Sequence, residues 1–159
     1  MKKERVLLLS KDESYLVEKG KDMHTKSGVI RAVDTKRAFG KKIKTHLGKE
    51  FSLVKPNMKD ILEKLVKRSA QVMLPKDLSL ILGYTGVSGA GLVVDAGTGT
   101  GYAAIFIANY IPNGRLVTYE KDKKFFNNAQ KNIKLSGFKN IKIKNGDVTR
   151  GIREKNVDL

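Results

Sequence analysis

The chain has no cysteine and only two histidines among its 159 residues. Without cysteine it has neither a disulfide framework nor a thiolate metal site. His24 and His46 are far apart in the sequence, so we expect no bound metal. Each histidine is predicted beside a turn, and we interpret both as structural residues.

Long apolar runs are also lacking. None approaches the roughly 20 residues that a membrane-spanning helix needs. The apolar stretch that follows the basic residues 2–5 is too short for the core of a signal peptide. We therefore expect an intracellular, cytoplasmic protein without a membrane partner. The hydrophobic content of 40% is enough for one core, or for one core and a small satellite domain.

Acidic residues are scarce relative to basic ones. The chain has 16 Asp and Glu against 32 Lys and Arg, which gives a formal net charge of +16. Adaptation to heat raises lysine and glutamate together, but here glutamate does not keep pace with lysine. A surplus of this size favours a polyanionic partner, and nucleic acid is the expected one.

Two regions differ in their hydrophobic pattern. Residues 1–55 contain short β-rich runs between turn signals, which predicts a small β-barrel-like domain. These runs are Val6–Leu9, Tyr15–Val17, Gly28–Val33, Ile43–Thr45 and Phe51–Val54. Residues 56–90 are interpreted as a linker, with a helix from Met58 to about Arg68 capped by Asn57. After it, an extended segment with Pro75 leads to a helix over Leu78–Tyr84, for which Asp77 is the predicted cap.

Strands and helices alternate in residues 91–159. Strands are predicted over 92–95, 115–119 and 140–144, and helices over 101–110 and 122–135, with Gly137 as a C-terminal cap. This alternation predicts an α/β, Rossmann-like parallel sheet. The lysines on the predicted helix 122–135 alternate with apolar positions, which is typical of a solvated face.

A glycine-rich turn follows the first of these strands. Val93 and Val94 run into Asp95-Ala96-Gly97-Thr98-Gly99-Thr100-Gly101, after which a helical pattern begins. Such a turn lets backbone N–H groups approach a ligand without an intervening Cβ, and it directs a helix N-terminus at that ligand. The dinucleotide-binding fingerprint requires a small residue where Tyr102 stands, so the pattern is GxGxG instead.

Acidic residues follow three successive predicted strands. Asp95, Glu120 and Asp147 each stand at or just beyond a carboxyl end, where open α/β sheets hold ligands. A carboxylate in this position offers two acceptor oxygens to a vicinal diol.

Together, the GxGxG turn and Glu120 after the second strand resemble the class I methyltransferases. The resemblance implies S-adenosylmethionine as the cofactor, with the glycine turn facing its methionine part. It also implies that Glu120 accepts hydrogen bonds from both ribose hydroxyls and that the Asp147 region faces the adenine amino group.

A longer pattern narrows the resemblance. A small β-domain, Arg68-x-x-Gln71-x-x-x-Pro75-Lys76-Asp77, the glycine turn and Tyr119-Glu120 resemble the tRNA (adenine-N1)-methyltransferases, particularly the archaeal ones. This resemblance implies a T-loop adenine at tRNA position 57 or 58 as substrate, tRNA as partner and a homotetramer. Residues 68–77 would form a strap that covers the cofactor, with Gln71, Pro75, Lys76 and Asp77 beside it. The implied cofactor-binding residues are Gln71, Asp95, Gly97, Thr98, Gly99, Gly101, Glu120, Lys121, Asp147 and Val148.

By the same resemblance, the catalytic aspartate lies at the end of a fourth strand whose pattern begins at Val157-Asp158-Leu159. That position falls beyond Leu159, so we expect no catalytic residue within the chain. We also expect a sheet that is incomplete at its C-terminal end, in an incomplete or inactive portion of an enzyme.

Two other functions stay open. The turn Gly97–Gly101 with Tyr102 also resembles the protein isoaspartate methyltransferases, although the β-domain and the basic surplus argue against that substrate. The second alternative is a non-catalytic RNA-binding subunit of a tRNA methyltransferase complex. Intact glycines and Glu120 count against it, since a subunit that binds no cofactor has no physical need for an open turn.

Overall fold

The computed structural model describes residues 4–67 and 71–159. The chain divides into two compact units, Met1–Lys64 and Leu65–Leu159. Arg68, the first residue of the pattern Arg68-x-x-Gln71, lies outside the described residues.

The first unit is built mainly of antiparallel strands. One sheet has the order β2-β1-β6-β5, and β3 and β4 form a separate hairpin. The strands are β1 Arg5–Leu9, β2 Ser14–Glu18, β3 Met23–Thr25, β4 Gly28–Ile30, β5 Lys42–Lys44 and β6 Glu50–Val54. A short 3-10 turn, Asp34–Lys36, lies between β4 and β5. The predicted strands are therefore present, although the run Gly28–Val33 forms a shorter strand and β3 was not predicted.

Alternation along these strands places one apolar set in a common core, as expected for a half-buried antiparallel sheet. Its buried members are Val6, Leu8, Val17, Ile30, Ile43, Phe51 and Leu53. His46 fixes the hairpin through two hydrogen bonds to Val29. Its ring Nδ1 accepts from the Val29 N–H at 2.8 Å, and its backbone N–H donates to the Val29 carbonyl at 3.0 Å. These bonds agree with the structural interpretation of His46.

Helix α1, Met58–Leu65, follows the strands of the first unit. The predicted cap Asn57 is confirmed, because its Oδ1 accepts a hydrogen bond from the Asp60 N–H at 3.0 Å. In return, the Asp60 carboxylate accepts from the Asn57 N–H at 2.8 Å. Such a reciprocal pair satisfies donors that a helix start leaves open.

The second unit has the predicted α/β alternation. Three strands form a parallel sheet in the order β7-β8-β9. The elements are α2 Pro75–Thr85, β7 Leu92–Ala96, α3 Tyr102–Tyr110, β8 Arg115–Glu120, α4 Lys123–Ser136 and β9 Ile141–Asn145, with a 3-10 turn at Val148–Arg150. Helix α3 is apolar on nearly all sides and is mostly buried, as is β8.

The start of α2 differs from the prediction. Asp77 is not the cap: the helix begins at Pro75, Leu74 is the cap residue, and Asp77 lies in the first turn. Proline suits the first helical position because its fixed φ is already helical and its missing N–H would have no partner there. By contrast, α4 lies within one residue of the predicted range 122–135 at each end, and the predicted C-terminal cap Gly137 is confirmed at φ +80°. Asp122 caps its start by accepting from Lys124 N–H and Phe125 N–H.

The last residues of the chain bond to β7. The Asp158 N–H donates to the Leu92 carbonyl at 2.9 Å, and the Val94 N–H donates to the Leu159 carbonyl at 2.8 Å. The Asp158 carboxylate also accepts from the Leu92 N–H at 2.7 Å. The pattern predicted to begin a fourth strand therefore lies along β7.

Candidate functional site

The carboxyl ends of the three parallel strands meet at one edge of the sheet. In the strand register, Ala96 stands opposite Tyr119 and Glu120 stands opposite Asn145. A pocket of about 210 Å³ lies at this edge. Its lining residues are Ala96, Gly97, Tyr119, Glu120, Lys121, Gly146, Asp147, Val148 and Thr149. This is the edge at which open α/β sheets bind ligands.

Glycine is required at three points of the turn between β7 and α3. Gly97, Gly99 and Gly101 have φ values of +96°, +55° and +80°, which side chains other than glycine rarely adopt. A Cβ on Gly97 would meet no atom within 4 Å, so this side of the turn is open. A Cβ on Gly101 would lie 3.4 Å from Ile133, so the missing side chain of Gly101 allows α3 to pack closely on α4.

The first amides of the turn are bound within the protein. The N–H groups of Gly97 and Thr98 both donate to the Tyr119 carbonyl at 2.9 Å. The Gly99 N–H donates to Oε2 of Glu120 at 2.8 Å. The N–H groups of all three residues are therefore not free donors in this structure. They instead fix the turn against the end of β8, so the turn is held in place before a ligand arrives.

Glu120 is buried, with 8% of its surface exposed, and both of its carboxylate oxygens have partners. Oε2 accepts from Gly99 N–H, and Oε1 accepts from the Asp122 N–H at 3.0 Å. Each carboxylate oxygen has lone pairs for a second hydrogen bond. The residue can thus hold the turn and still accept hydrogen bonds from a ligand in the pocket that it lines.

Asp95 ends a chain of hydroxyl groups. Its Oδ2 accepts from the Thr118 hydroxyl at 2.7 Å, and the Thr118 and Thr98 hydroxyl oxygens lie 2.6 Å apart. Because Thr118 donates its proton to Asp95, Thr98 must donate to Thr118. Burial raises the pKa of Asp95, the bond from Thr118 opposes this rise, and the negative charge of Glu120 adds to it.

Asp147 lies just beyond β9 and begins the 3-10 turn that follows. Its carboxylate accepts from the Thr149 N–H at 3.0 Å and from the Thr149 hydroxyl at 2.8 Å. These bonds lower the pKa of Asp147, and the charges of Lys121 and Arg150 lower it further. Asp147 is therefore held as an anion at the side of the pocket opposite the glycine turn.

The structure brings half of the sequence-predicted site residues together. Five of them line the pocket: Gly97, Glu120, Lys121, Asp147 and Val148. Thr98, Gly99 and Gly101 support the turn, Asp95 anchors the threonine chain, and Gln71 is exposed and lies outside the lining. Sequence reasoning missed four lining residues, although each is a direct neighbour of a predicted one: Ala96, Tyr119, Gly146 and Thr149.

The turn also has an unused hydrogen-bonding group. The hydroxyl of Thr100 is buried and has no hydrogen-bond partner among the described residues. The carbonyl of the same residue accepts from the buried side-chain amide of Asn132 at 2.9 Å. Buried polar groups are normally satisfied, so the free hydroxyl is an unusual feature of this turn.

A second cluster stands behind the pocket. The Tyr119 hydroxyl donates to Glu154, and the Lys144 ammonium donates to the Tyr119 hydroxyl at 3.0 Å and to Glu154 Oε1 at 2.5 Å. These bonds lower the pKa of Glu154 from 4.5 to about 2, with Lys144 as the largest cause. Tyr119 therefore joins the turn, through its carbonyl, to the segment that contains Glu154, through its hydroxyl.

Within residues 4–67 and 71–159, no helix is both long and apolar enough to cross a membrane. The same part of the chain contains no group of three or more His, Cys, Asp or Glu side chains that could hold a metal ion.

The parallel sheet, the glycine turn and the acids at the strand ends define a class I methyltransferase fold, whose cofactor is S-adenosylmethionine. Residues 28–156 match the family described as protein-L-isoaspartate(D-aspartate) O-methyltransferase (PCMT), and the chain belongs to this family.

Relatives within this fold include tRNA methyltransferases. The chain is 31% identical over 153 residues to the tRNA (adenine(57)-N(1)/adenine(58)-N(1))-methyltransferase TrmI of Methanocaldococcus jannaschii, a match that covers 95% of this chain and 52% of the relative. A solved S-adenosylmethionine-dependent O-methyltransferase from Thermotoga maritima superimposes with a TM-score of 0.82 at 29% identity, covering 99% of this chain and 61% of that one. The tRNA (m1A58) methyltransferase TrmI of Aquifex aeolicus has the same fold, with a TM-score of 0.76 at 24% identity over 98% of this chain and 62% of that one.

These matches confirm the resemblance to the tRNA (adenine-N1)-methyltransferases. The chain spans about half the length of the curated relatives it matches.

Proposed function

We propose that this chain serves the S-adenosylmethionine-dependent methylation of N1 of a T-loop adenine, at position 57 or 58, in tRNA. The observation that carries the proposal is the 31% identity to the archaeal TrmI, which runs along 95% of the chain and thus through both units. The net charge of +16 supports a polyanionic substrate over a peptide.

The residues at the sheet edge fit the cofactor of this class. The open side of Gly97 leaves room for a ligand, and Glu120 has lone pairs left to accept from the ribose hydroxyls. Asp147 and Val148 would border the adenine, with Lys121 beside them. The glycine turn, including Thr98, Gly99 and Gly101, would face the methionine part, with Asp95 behind it.

Gln71 does not line the pocket, so we propose a different role for it. It lies in the segment before α2 that we propose as the strap over the cofactor, together with Pro75, Lys76 and Asp77. The segment 71–74 is not helical, which leaves it free to follow an extended path.

In this reaction the main task of the protein is to position the cofactor and the adenine. S-adenosylmethionine, when bound, supplies a methyl group on its sulfonium sulfur. A neutral ring nitrogen can attack this methyl group. The residues of this chain hold the adenosyl part in a fixed place and orientation, because the turn is bound to Tyr119 and Glu120 in advance. N1 lies on the Watson–Crick edge, so the target adenine must turn out of the folded T-loop to react.

Two finer expectations belong to this proposal. The antiparallel strands of the first unit support a barrel-like form for that domain. The homotetramer rests on the resemblance to the tRNA (adenine-N1)-methyltransferases.

Deletion of the gene in its own organism tests the function. We expect N1-methyladenosine to disappear from the T-loop of tRNA, measured by mass spectrometry of tRNA digests, and to return when the wild-type gene is restored. A copy with Gly97→Val should fail to restore it, because a bulky side chain would fill the open side of the turn. A copy with Gly151→Val is the matched control, since Gly151 has a similar φ of +95° and open surroundings but lies outside the pocket.

Other outcomes would point to the alternatives. Unchanged N1-methyladenosine together with an accumulation of isoaspartyl residues in cell protein would favour the isoaspartate reaction. Full restoration by the Gly97→Val copy would mean that the chain acts without binding a cofactor, as a non-catalytic subunit.

A further inference from the structure

The positive charge of the second unit is concentrated in one part of it. Residues 121–155 contain eleven Lys and Arg but only three Asp and Glu, whereas residues 71–120 contain two basic and three acidic residues. The range 121–155 comprises α4, β9 and the segment after β9. Helix α4 packs on β9, which is an outer strand of the sheet. The charge therefore lies on the β9 side of the sheet.

The three acids in this range do not neutralise it. Asp122 caps α4, and Asp147 accepts from Thr149. Glu154 is nearly buried and is bound by Tyr119 and Lys144. Each carboxylate is thus used in a local structure, and only Lys144 among the eleven basic residues forms an ion pair with a described residue.

Five exposed cations surround β9 and form what we call the basic edge: Lys139, Lys142, Arg150, Arg153 and Lys155. Lys142 lies in β9 itself. The bonds from Lys144 to Glu154 hold the segment with Arg153 and Lys155 next to this strand. Arg150 follows directly after Thr149, which lines the pocket. One member of the basic edge is therefore adjacent to the lining of the candidate cofactor pocket.

A simpler explanation covers only part of this surface. Lysine on an outer strand discourages the pairing of another strand, and this accounts for Lys142. It does not account for Arg153 and Lys155, which lie outside the strand. Like charges kept close together without acidic partners destabilise the folded state by mutual repulsion. A polyanionic ligand removes that cost, because its phosphates neutralise the cations and release counterions.

We propose that the basic edge binds the sugar-phosphate backbone of the RNA substrate beside the pocket mouth. The inference rests on the proposed function, and it assigns the grip on RNA to the β9 side of the second unit. Phosphate contacts of this kind fix the position of a nucleic acid without reading its sequence.

RNA binding by the 159-residue chain tests the inference. The test variant carries Lys142→Gln, Arg153→Gln and Lys155→Gln, which removes three charges from the basic edge. The matched control carries Lys11→Gln, Lys26→Gln and Lys41→Gln, which removes three exposed lysines of the first unit. Affinity for unmodified tRNA is measured by fluorescence anisotropy across a KCl titration. S-adenosylmethionine binding is measured separately by calorimetry.

We expect the test variant to bind tRNA about tenfold more weakly or worse at low salt, and the slope of log affinity against log salt to fall by about one for each lost contact. The control variant should stay close to wild type. A variant with Lys142→Arg, Lys155→Arg and Arg153→Lys keeps the charge and should retain wild-type affinity. Urea unfolding of each protein shows whether the substitutions leave the fold intact, and the charge-preserving variant tests the same positions should the glutamine variant unfold.

Three results would overturn the inference. The test variant could bind tRNA as tightly as wild type, or the control variant could lose as much affinity as the test variant. Polyglutamate could also compete for the wild-type chain as well as tRNA does, which would indicate an acidic protein partner. The proposed function would survive the first two results, since the disappearance of N1-methyladenosine on gene deletion is read independently.

Discussion

Oε2 of Glu120 accepts a hydrogen bond from the backbone N–H of Gly99 at 2.8 Å. This bond joins the end of β8 to the glycine turn after β7. The two predicted parts of the candidate cofactor site are therefore bonded to each other. Since Glu120 also lines the pocket, a change at this residue alters both the shape of the turn and the acceptor that faces the ligand.

Replacement of Glu120 by alanine should weaken S-adenosylmethionine binding by about 1.5 to 3 kcal/mol, the size expected for lost hydrogen bonds to a charged group. Isothermal titration calorimetry measures the change. Glu63→Ala, at an exposed carboxylate of α1, is the control and should leave the affinity unchanged. Equal affinities for Glu120→Ala and wild type would move the ribose contact to another residue.

Gly97 and Gly151 offer a matched pair for the open turn. Both have φ near +95°, and a Cβ on either would meet no atom within 4 Å. Alanine at either position should therefore cost about 1 to 3 kcal/mol in urea unfolding, the range for a residue held in a sparsely populated backbone region. Only Gly97→Ala should also weaken cofactor binding, since only Gly97 lines the pocket. If Gly151→Ala weakens binding equally, backbone strain rather than contact with the ligand explains the effect.

Asp95 should lower the stability of the chain at neutral pH. Its pKa is raised in the folded state, chiefly by burial, so the folded chain holds this proton more tightly than the unfolded chain does. The free energy of unfolding therefore falls as the pH rises above 3.8, the ordinary value, until the folded pKa is passed. Asn at this position keeps an acceptor for Thr118 and carries no charge.

We accordingly expect Asp95→Asn to be more stable than wild type at pH 7, with the difference shrinking toward zero as the pH falls below 3.8. Urea unfolding at a series of pH values measures it. A variant that is less stable than wild type at pH 7 would show that the charge of Asp95 stabilises the turn.

Glu154 should have the opposite pH dependence. Its pKa is lowered from 4.5 to about 2 by Lys144 and Tyr119, so its charge stabilises the folded chain above pH 4.5. This contribution is lost as the pH falls from 4.5 toward 2. Glu154→Gln should therefore be less stable than wild type at pH 7, and the two unfolding curves should converge in that acid range. A difference that stays constant with pH would mean that the carboxylate charge contributes nothing.

The sequence predicted the features that depend on local pattern. Apolar runs located the strands of both units, Asn57 and Asp122 marked helix starts, and Gly137 marked a helix end, because caps and strand alternation involve neighbours in the chain. Asp77 was predicted wrongly as the cap because two helix-start signals, Pro75 and Asp77, stand close together. The fixed φ of proline suits the first helical position, so the helix begins at Pro75, two residues before Asp77. Strand β3 was missed because Met23–Thr25 has a polar histidine at its centre and contains no β-branched apolar residue.

The partners of the site residues could not be predicted in the same way. Glu154 meets Tyr119 across 35 positions, and Asn132 meets Thr100 across 32. Such contacts depend on how α4 and the final segment pack on the sheet, which no local pattern specifies. The partners of the turn amides are another example, since their acceptors belong to β8.

The most direct test of the cofactor site is an NMR titration of the chain with S-adenosylhomocysteine, followed through its backbone amide signals. We expect large shifts for Gly97, Glu120, Gly146 and Asp147, which line one pocket, and unchanged signals for Val29 and His46 in the first unit. Saturating ligand that leaves the pocket amides unshifted, or that shifts those of the first unit instead, would contradict it.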